Sequence, residues 1–487
     1  MSCMFLKEVI NGYNIEEIVG SSDVEINNLC QDHREVREGS MFFCIKGQNS
    51  NGETFVKLAR NYGAVCVVCE RKLELDLIQV VVKDVREAMS AFACNFYGNP
   101  SEKLKLIGVT GTNGKTTTCH LISSISKNSG RKIGVIGTLG IFYEGKYIPP
   151  KLTTPDPIFL NRVLKDMADN GVEYVAMEAS AHAISLRKLF GLRFCAKVFT
   201  NFTPDHLDFF KTMDEYFKAK ISFFDDVKHC FAVYNSDDDR VRNSFIKSVK
   251  MSFSFGIKNP SDVFAVNIKE TLDGTFFTMN VYDEIVEIFC KLNGLFNVCN
   301  CLAASAVCYK LGFDADSIKR GLNAVNAVSG RAERVKNEKN KCVFIDYAHT
   351  PDGLKQILLS LRKTTKKRLV CLFGCGGNRD KTKRAVMGEI AGEYADFTVL
   401  TSDNPRFEDP DAIINDVEKG LKKKTDNYIT CEDRRKAIAY ALSYIQDGDV
   451  LLIAGKGAED YQEIMGTKLP FNDKKYVLEL LRSEDKN

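Results

Sequence analysis

No stretch of the sequence approaches the roughly 18 uninterrupted apolar residues of a membrane-crossing helix, so no membrane span is expected. An excess of either charge is missing too: 67 Lys and Arg stand against 64 Asp and Glu, a formal net charge of +3. That balance argues against nucleic acid or a membrane surface as a partner, and any anionic ligand must be held by a local site. The opening MSCMFLKEVINGYNIEEIVG has no basic region followed by a clean apolar core, which points to a cytoplasmic protein. Fixed-period repeats and low-complexity tracts are absent as well. Cysteine is plentiful at 17 residues, but the thiols are scattered through apolar segments such as AVCVVCE and VCLFGCGG in a long chain without a secretion signal. Reduced, buried thiols fit that pattern. Cys66 and Cys69 form a lone C-x-x-C in a strand-like run, with no second pair or nearby His to complete a zinc site.

What is present describes a large soluble α/β protein. At 487 residues the chain exceeds what one core usually serves, and a prior of about 150 residues per domain gives roughly three domains. The first runs over 1–100, with strand-like GSMFFCIKG and GAVCVVCE around a helical FVKLARNY, and closes at Gly98-Asn99-Pro100-Ser101. The second, 101–329, alternates strands such as KIGVIGT and YVAMEAS with helical stretches, the pattern of a mostly parallel sheet. The third, 330–487, carries CVFIDYA, RLVCLFG, FTVLTSD and VLLIAG between helix-like runs. It reads as an open doubly wound sheet whose ligands lie beyond the carboxyl ends of the strands.

The most informative stretch is IGVTGTNGKTTTCHLISSI, residues 107–125, which reads strand, turn, helix. Gly111 and Gly114 allow a tight turn with converging N–H groups, and the following helix aims its positive end into the loop. Lys115 can reach terminal phosphates, and the Thr116 hydroxyl can join the shell of a Mg²⁺ bridging them. The strict G-x-x-x-x-G-K-[ST] pattern is not met, because Val109 occupies the first glycine position and Gly108 lies one residue too early. A variant phosphate loop is the reading.

Other polar residues cluster after strand-like runs: Glu178 after YVAM, then Asp205, His206 and Asp208 after KVFTNF, and Asp346 and His349 after CVFI. Asp403, Asn404 and Arg406 follow FTVLT, and Gly455, Lys456 and Glu459 follow VLLIA. Any one of these residues is ordinarily a cap or turn residue, but five such clusters beside a phosphate loop point to a site.

GTNGKTTT, MEASAHA, NFTPDHLDFF, EYFKAK, GLFNVCN, SGRAERV, DYAHTPDGL, GCGGNRDKTKR, SDNPRFEDP and AGKGAEDYQ occur in an order that resembles the Mur ligases of peptidoglycan synthesis, most of all the diaminopimelate-adding members. The resemblance implies an N-terminal UDP-sugar-binding domain, a central ATP-binding domain and a C-terminal Rossmann-like domain that binds the amino acid. It implies a monomeric, ADP-forming ligase that adds meso-diaminopimelate to UDP-N-acetylmuramoyl-L-alanyl-D-glutamate through an acyl phosphate. Lys115, Glu178, His206 and Lys220 would be catalytic, with Thr116, Glu178, His206 and Lys220 around Mg²⁺. Alone, Lys220 in EYFKAK reads as a solvated surface residue; the resemblance implies that CO₂ carbamylates it. ATP would be held by Gly111, Thr112, Asn113, Gly114, Lys115, Thr116, Thr117, Asn297, Arg331, Asp346 and His349.

By the same resemblance His33, Gln48, Asn49, Ser50, Thr153, Thr154, Ser180 and Lys188 would hold the UDP-muramoyl dipeptide. Arg379, Asp403, Asn404, Pro405, Arg406, Gly455 and Glu459 would hold diaminopimelate. An arginine at 406 suits its second carboxylate, which a guanidinium grips through two parallel hydrogen bonds. Otherwise Asp403-Asn404-Pro405 is simply a turn after a strand. The sequence departs from the family in three places. His33 stands where a serine is usual, Lys188 where an arginine is usual (Arg187 is adjacent), and Ala458 where a histidine is usual. Either the acceptor contacts are re-made or the acceptor is a related molecule. A folylpolyglutamate synthetase-like ligase and a non-catalytic nucleotide-binding regulator are the other readings.

Overall fold

The computed structural model describes residues 3–47, 50–225, 230–249 and 251–483. By contact the chain falls into two compact units: 1–110 with 131–197 and 219–231, and 111–130 with 198–218 and 232–487.

The first unit opens with a five-stranded sheet ordered Glu17–Val19, Ile78–Val81, Ala64–Cys69, Ser40–Phe43, Asn28–Cys30. All neighbours are parallel except the Glu17–Val19 pair. Cys66 and Val68 point into one apolar layer, Val67 and Cys69 into the other, so the C-x-x-C is divided between two cores by the strand's period of two. Burial pushes both thiols up, Cys69 to about 11. The same unit holds strands ordered Lys146–Ile148, Gly140–Tyr143, Ile133–Gly137, Tyr174–Glu178, Lys105–Thr110 and Phe194–Phe199. Tyr174–Glu178 is parallel to both of its neighbours, and near-continuous apolar runs such as LIGV suit strands covered on both faces.

In the second unit Phe231–Asn235, Ser252–Gly256 and Val263–Thr271 run parallel. Gly274–Val281 and Glu284–Cys290 then extend Val263–Thr271 as an antiparallel meander, which the reading of a mostly parallel sheet did not anticipate. Its signal was local: the hairpin turns through Leu272-Asp273 just before Gly274, and alternating burial along Gly274–Val281 marks a half-covered strand. The last sheet is ordered Glu333–Arg334, Cys342–Asp346, Val450–Ala454, Leu369–Phe373, Phe397–Thr401, Tyr428–Cys431. It is parallel except at Glu333–Arg334. Asp346 is paired with Ala454 and Phe373 with Leu400, so the residues following these strands emerge along one edge, where open α/β sheets bind ligands.

Helix Ala315–Ala324 packs on helix Lys115–Asn128 through Gly321, where a Cβ would overlap Ile125 and where Ser124 Oγ donates to the carbonyl at 2.7 Å. Gly321→Val is expected to destabilise the protein by about 1–3 kcal/mol, since backbone cannot step aside for the added atoms. Denaturant unfolding of the two proteins checks this.

Candidate active site

Strand Lys105–Thr110 gives way at Gly111 to a loop that ends in helix Lys115–Asn128. Gly111 and Gly114 adopt φ of +138° and +86°, conformations that favour glycine. Space demands the same residue: a Cβ on Gly111 would overlap Thr200 Oγ1, and one on Gly114 would overlap Asn300 Oδ1. The loop is clamped from outside, Thr200 Oγ1 donating to the Asn113 carbonyl at 2.6 Å and Asn113 N–H to Asn201 Oδ1 at 2.9 Å. Lys115 curls back so that Nζ donates to the carbonyls of Gly111 and Thr112, at 2.9 and 2.8 Å. Its charge and the positive helix end therefore meet in one small space, an anion site.

Arg331 Nη2 donates to Thr116 Oγ1 at 3.0 Å, and its guanidinium lies 4.5 Å from the Tyr347 ring centre. The turn at Ala332, φ +46°, is held by Asp346, whose carboxylate accepts from Ala332 N–H at 2.5 Å and Ala348 N–H at 2.7 Å. Burial pushes the Asp346 carboxyl up. A cavity of about 350 Å³ is walled by Asn113, Gly114, Thr116 and Thr117 on the loop and by Arg331, Asp346 and His349 across it. Asn297 is not in that wall. It accepts from Asn300 Nδ2 at 3.0 Å, and Asn300, which the sequence reading missed, lines the cavity. An Asn pair three apart on an otherwise apolar helix was the available signal, because buried amides need partners.

His206 Nε2 lies 3.3 Å and His349 Nε2 4.0 Å from Asp205 Oδ2. Burial works to raise the Asp205 carboxyl, but His206, His349 and Lys383 outweigh it and hold it at about 2. Burial and the charge of Lys383 push the His349 imidazole down. Arg379 reaches Asp208 at 3.8 Å and is half exposed.

Beyond the carboxyl ends of the last sheet, Asp403 and Asn404 are buried rather than forming an open turn. Asn404 Nδ2 donates to Glu459 Oε2 at 2.9 Å, and the fully buried Lys456 donates to Asn404 Oδ1 at 3.0 Å and Glu459 Oε2 at 2.9 Å. Gly455, at φ +111°, passes so close to Asp403 Oδ2 that a Cβ would stand 2.5 Å away. Pro405 carries the chain into Arg406, which has φ +53°, donates from Nη1 to the Gly377 carbonyl at 2.7 Å, and approaches Glu463 Oε2 at 3.3 Å. A guanidinium carries its donors in a planar fork that matches a carboxylate.

In the first unit, Glu178 ends its strand 1% exposed, its carboxylate accepting from Thr138 N–H at 2.8 Å and Thr138 Oγ1 at 3.2 Å. Thr138 Oγ1 lies 3.3 Å from Thr153 Oγ1, while Thr154 Oγ1 donates to the Glu178 carbonyl at 2.7 Å and lies 3.2 Å from Ser180 Oγ. Lys220 is 1% exposed, which corrects its reading as a solvated surface lysine. An alternating charged pattern does not reveal which helix face is covered. Among the described residues no three or more His, Cys, Asp or Glu are grouped to hold a metal by themselves.

Family models describe residues 109–308 as a Mur ligase middle domain and residues 330–457 as a Mur ligase, glutamate ligase domain. A UDP-N-acetylmuramoyl-L-alanyl-D-glutamate--2,6-diaminopimelate ligase of Clostridium acetobutylicum is 41% identical over 98% of this chain and 99% of its own. This chain belongs to the Mur ligase family. A Geobacillus thermodenitrificans ligase of the same name is 44% identical over 92% of the chain and 94% of its own. A solved structure of such a ligase matches with a TM-score of 0.70 at 30% identity, covering 99% of both chains.

The departures of this Mur ligase have visible local settings. Lys188 is paired with Asp156 at 2.7 Å, whereas Arg187, φ +57°, turns toward Glu87 at 3.8 Å and does not take over the neighbouring position. His33 stacks on Phe55, ring centres 4.5 Å apart and planes within 1°, beside Asp32, which the Arg34 guanidinium holds at about 2. Ser50 is exposed after strand Ser40–Phe43, its carbonyl accepting from Gly47 N–H at 2.8 Å. Gln48 and Asn49 lie outside the described residues. Ala458 packs its backbone where a Cβ on Gly330 would stand.

Gly111→Ala adds a Cβ at a forbidden φ and against Thr200, a strain of about 1–3 kcal/mol that is expected to weaken ADP binding roughly tenfold to a hundredfold. Calorimetric titration of both proteins with ADP measures it, alongside their melting temperatures.

Proposed function

We propose that this Mur ligase uses ATP to activate the glutamyl carboxylate of UDP-N-acetylmuramoyl-L-alanyl-D-glutamate and joins it to 2,6-diaminopimelate, in the meso form, for peptidoglycan precursor synthesis. The observation that carries the reading is the segment Asp403–Arg406, whose Asp403 and Asn404 are buried and whose partly exposed Arg406 guanidinium is held by the Gly377 carbonyl and Glu463, in a chain whose full-length relatives bear the name of that reaction. The division into 1–100, 101–329 and 330–487 goes with it. The five-stranded sheet lies inside the first segment and the last sheet inside the third. Action in the cytoplasm as a monomer without nucleic acid belongs to the same proposal; the balanced charge supports the lack of a nucleic-acid partner, and no helix among the described residues is long and apolar enough to cross a membrane.

A carboxylate is a poor electrophile, so its oxygen first takes the γ-phosphoryl group of ATP; ADP leaves, and the amine of diaminopimelate then displaces phosphate from the acyl phosphate. The cavity beside the loop suits the nucleotide, with Lys115 and the helix end on its phosphates and Arg331 against Thr116. Thr116, Glu178, His206 and Lys220 would hold Mg²⁺, which supplies neutralising charge for the transferring phosphoryl group. Their chemistry fits: Glu178 and Thr116 offer hard oxygens and one imidazole is tolerable beside them. Burial sets Lys220 apart from a solvated surface lysine, and a carbamate on it would offer magnesium two hard oxygens.

Lys188 and His33, set as described, also support a related acceptor differing at its nucleotide-sugar or peptide end. A folylpolyglutamate synthetase-like reaction or a nucleotide-binding regulator lacks such support.

With ATP, Mg²⁺ and UDP-N-acetylmuramoyl-L-alanyl-D-glutamate, phosphate release should rise on adding diaminopimelate and stay near background with lysine. A preference for lysine removes the specificity reading. Arg406→Ala should raise the KM for diaminopimelate about a hundredfold or more while leaving ADP affinity unchanged, because only the amino acid loses a charged contact.

A further inference from the structure

Arg384 is a charged side chain that the reaction above does not use, yet it is 1% exposed. It is the third residue of helix Thr382–Tyr394, where the helix end disfavours a cation. A buried guanidinium in that position requires strong partners. Nη2 donates to both Glu408 oxygens at 3.0 Å, Nη1 to Asp416 Oδ2 at 3.1 Å, and Nε is buried without a hydrogen-bond partner.

Glu408 is the hub of two loops. It also accepts from Asn378 N–H, so that Arg384 and Glu408 together tie residues 376–378 to residues 404–408. The two loops interlock further: Gly377 N–H donates to the Asn404 carbonyl at 2.9 Å, Phe407 N–H to Asn378 Oδ1 at 3.0 Å, and Arg406 Nη1 to the Gly377 carbonyl at 2.7 Å. Asn378 and Arg406 both have left-handed backbones, φ +51° and +53°, conformations that persist only where the surroundings enforce them. Burial works to raise the Glu408 carboxyl, but the Asn378 N–H and Arg384 outweigh it and hold it below its usual range. Helices Thr382–Tyr394 and Pro410–Leu421 already touch closely at Gly388 and Gly420, so Arg384 is not needed to join them.

We propose that Arg384, acting through Glu408, is a positioning residue that fixes the distance between Arg379 and Arg406 and thereby sets selection for an amino acid with a distal carboxylate. The inference rests on the diaminopimelate reading above. One guanidinium follows Asn378 directly in the first loop and the other projects from the second. Loosening the tie leaves both arginines present but misplaced.

The test is steady-state kinetics of the full-length protein, with diaminopimelate and ATP varied separately, for Arg384→Gln, Arg384→Lys, Glu408→Gln and Arg406→Ala. Arg384→Gln is expected to raise the KM for diaminopimelate roughly tenfold to a hundredfold, the cost of about 1 Å of misplacement, with the KM for ATP unmoved. Arg384→Lys should recover part of the loss, and combining Arg384→Gln with Arg406→Ala should cost less than the sum of the two, as for residues acting in one unit. Equal rises in both KM values, no rise in either, or additive losses would overturn the inference. If Arg384→Gln does not fold, as judged by its melting curve, Glu408→Gln decides by the same criteria, because it keeps an acceptor for Asn378 and loses only the charge. An unmodified enzyme that ignores diaminopimelate overturns the functional reading and this inference with it. An unmodified enzyme that uses it, with variants indistinguishable from it, overturns this inference alone.

Discussion

The left-handed bend at Gly111 and Gly114 is possible only because neither residue carries a side chain, and the space left free is filled by Thr200 and Asn300. That one steric condition fixes several others. The loop amide of Asn113 is turned toward Asn201, Lys115 is folded over the carbonyls of Gly111 and Thr112, and Thr116 is brought within reach of Arg331. The proposed phosphate site is therefore built by two segments far apart in sequence, the glycine loop and the stretch after strand Phe194–Phe199, rather than by the motif alone.

Charge inside the second unit also fixes backbone. Arg434 and Asp473 are both buried and joined by two hydrogen bonds of 2.8 Å, and Arg434 also donates to the carbonyls of Ser402 and Ala454 at 3.3 and 3.1 Å. Those carbonyls lie just before Asp403 and Gly455, so one ion pair orders the exits of two strands that carry the proposed amino-acid site. A buried pair of this kind contributes little net stability, and its value lies in holding one arrangement.

The parallel strands were legible because their apolar runs and punctuating glycines are local signals, as in KIGVIGT and VLLIAG, and the strand, glycine turn and helix over 105–128 were legible because their signals are confined to adjacent residues. The antiparallel meander over 263–290 was not read, although Asp273 and the following Gly274 flagged its turn, because half-buried alternation is weak beside the stronger parallel pattern. Lys220 shows the limit more sharply. Its burial depends on which helix face is covered, and no spacing rule states that. Asn300 and Arg384 were missed for a related reason: each acts by holding a neighbour, Asn300 beside Gly114 and Arg384 on Glu408, across separations of 186 and 24 residues that carry no local pattern.

Transfer of a phosphoryl group to the acceptor carboxyl is the central claim, and oxygen labelling tests it most directly. With both oxygens of the glutamyl carboxyl labelled with ¹⁸O, the expected result is one labelled oxygen in each phosphate released, matched to each molecule of lengthened peptide. Released phosphate free of label, with product still formed, would contradict an acyl phosphate and with it the mechanism assigned to this site.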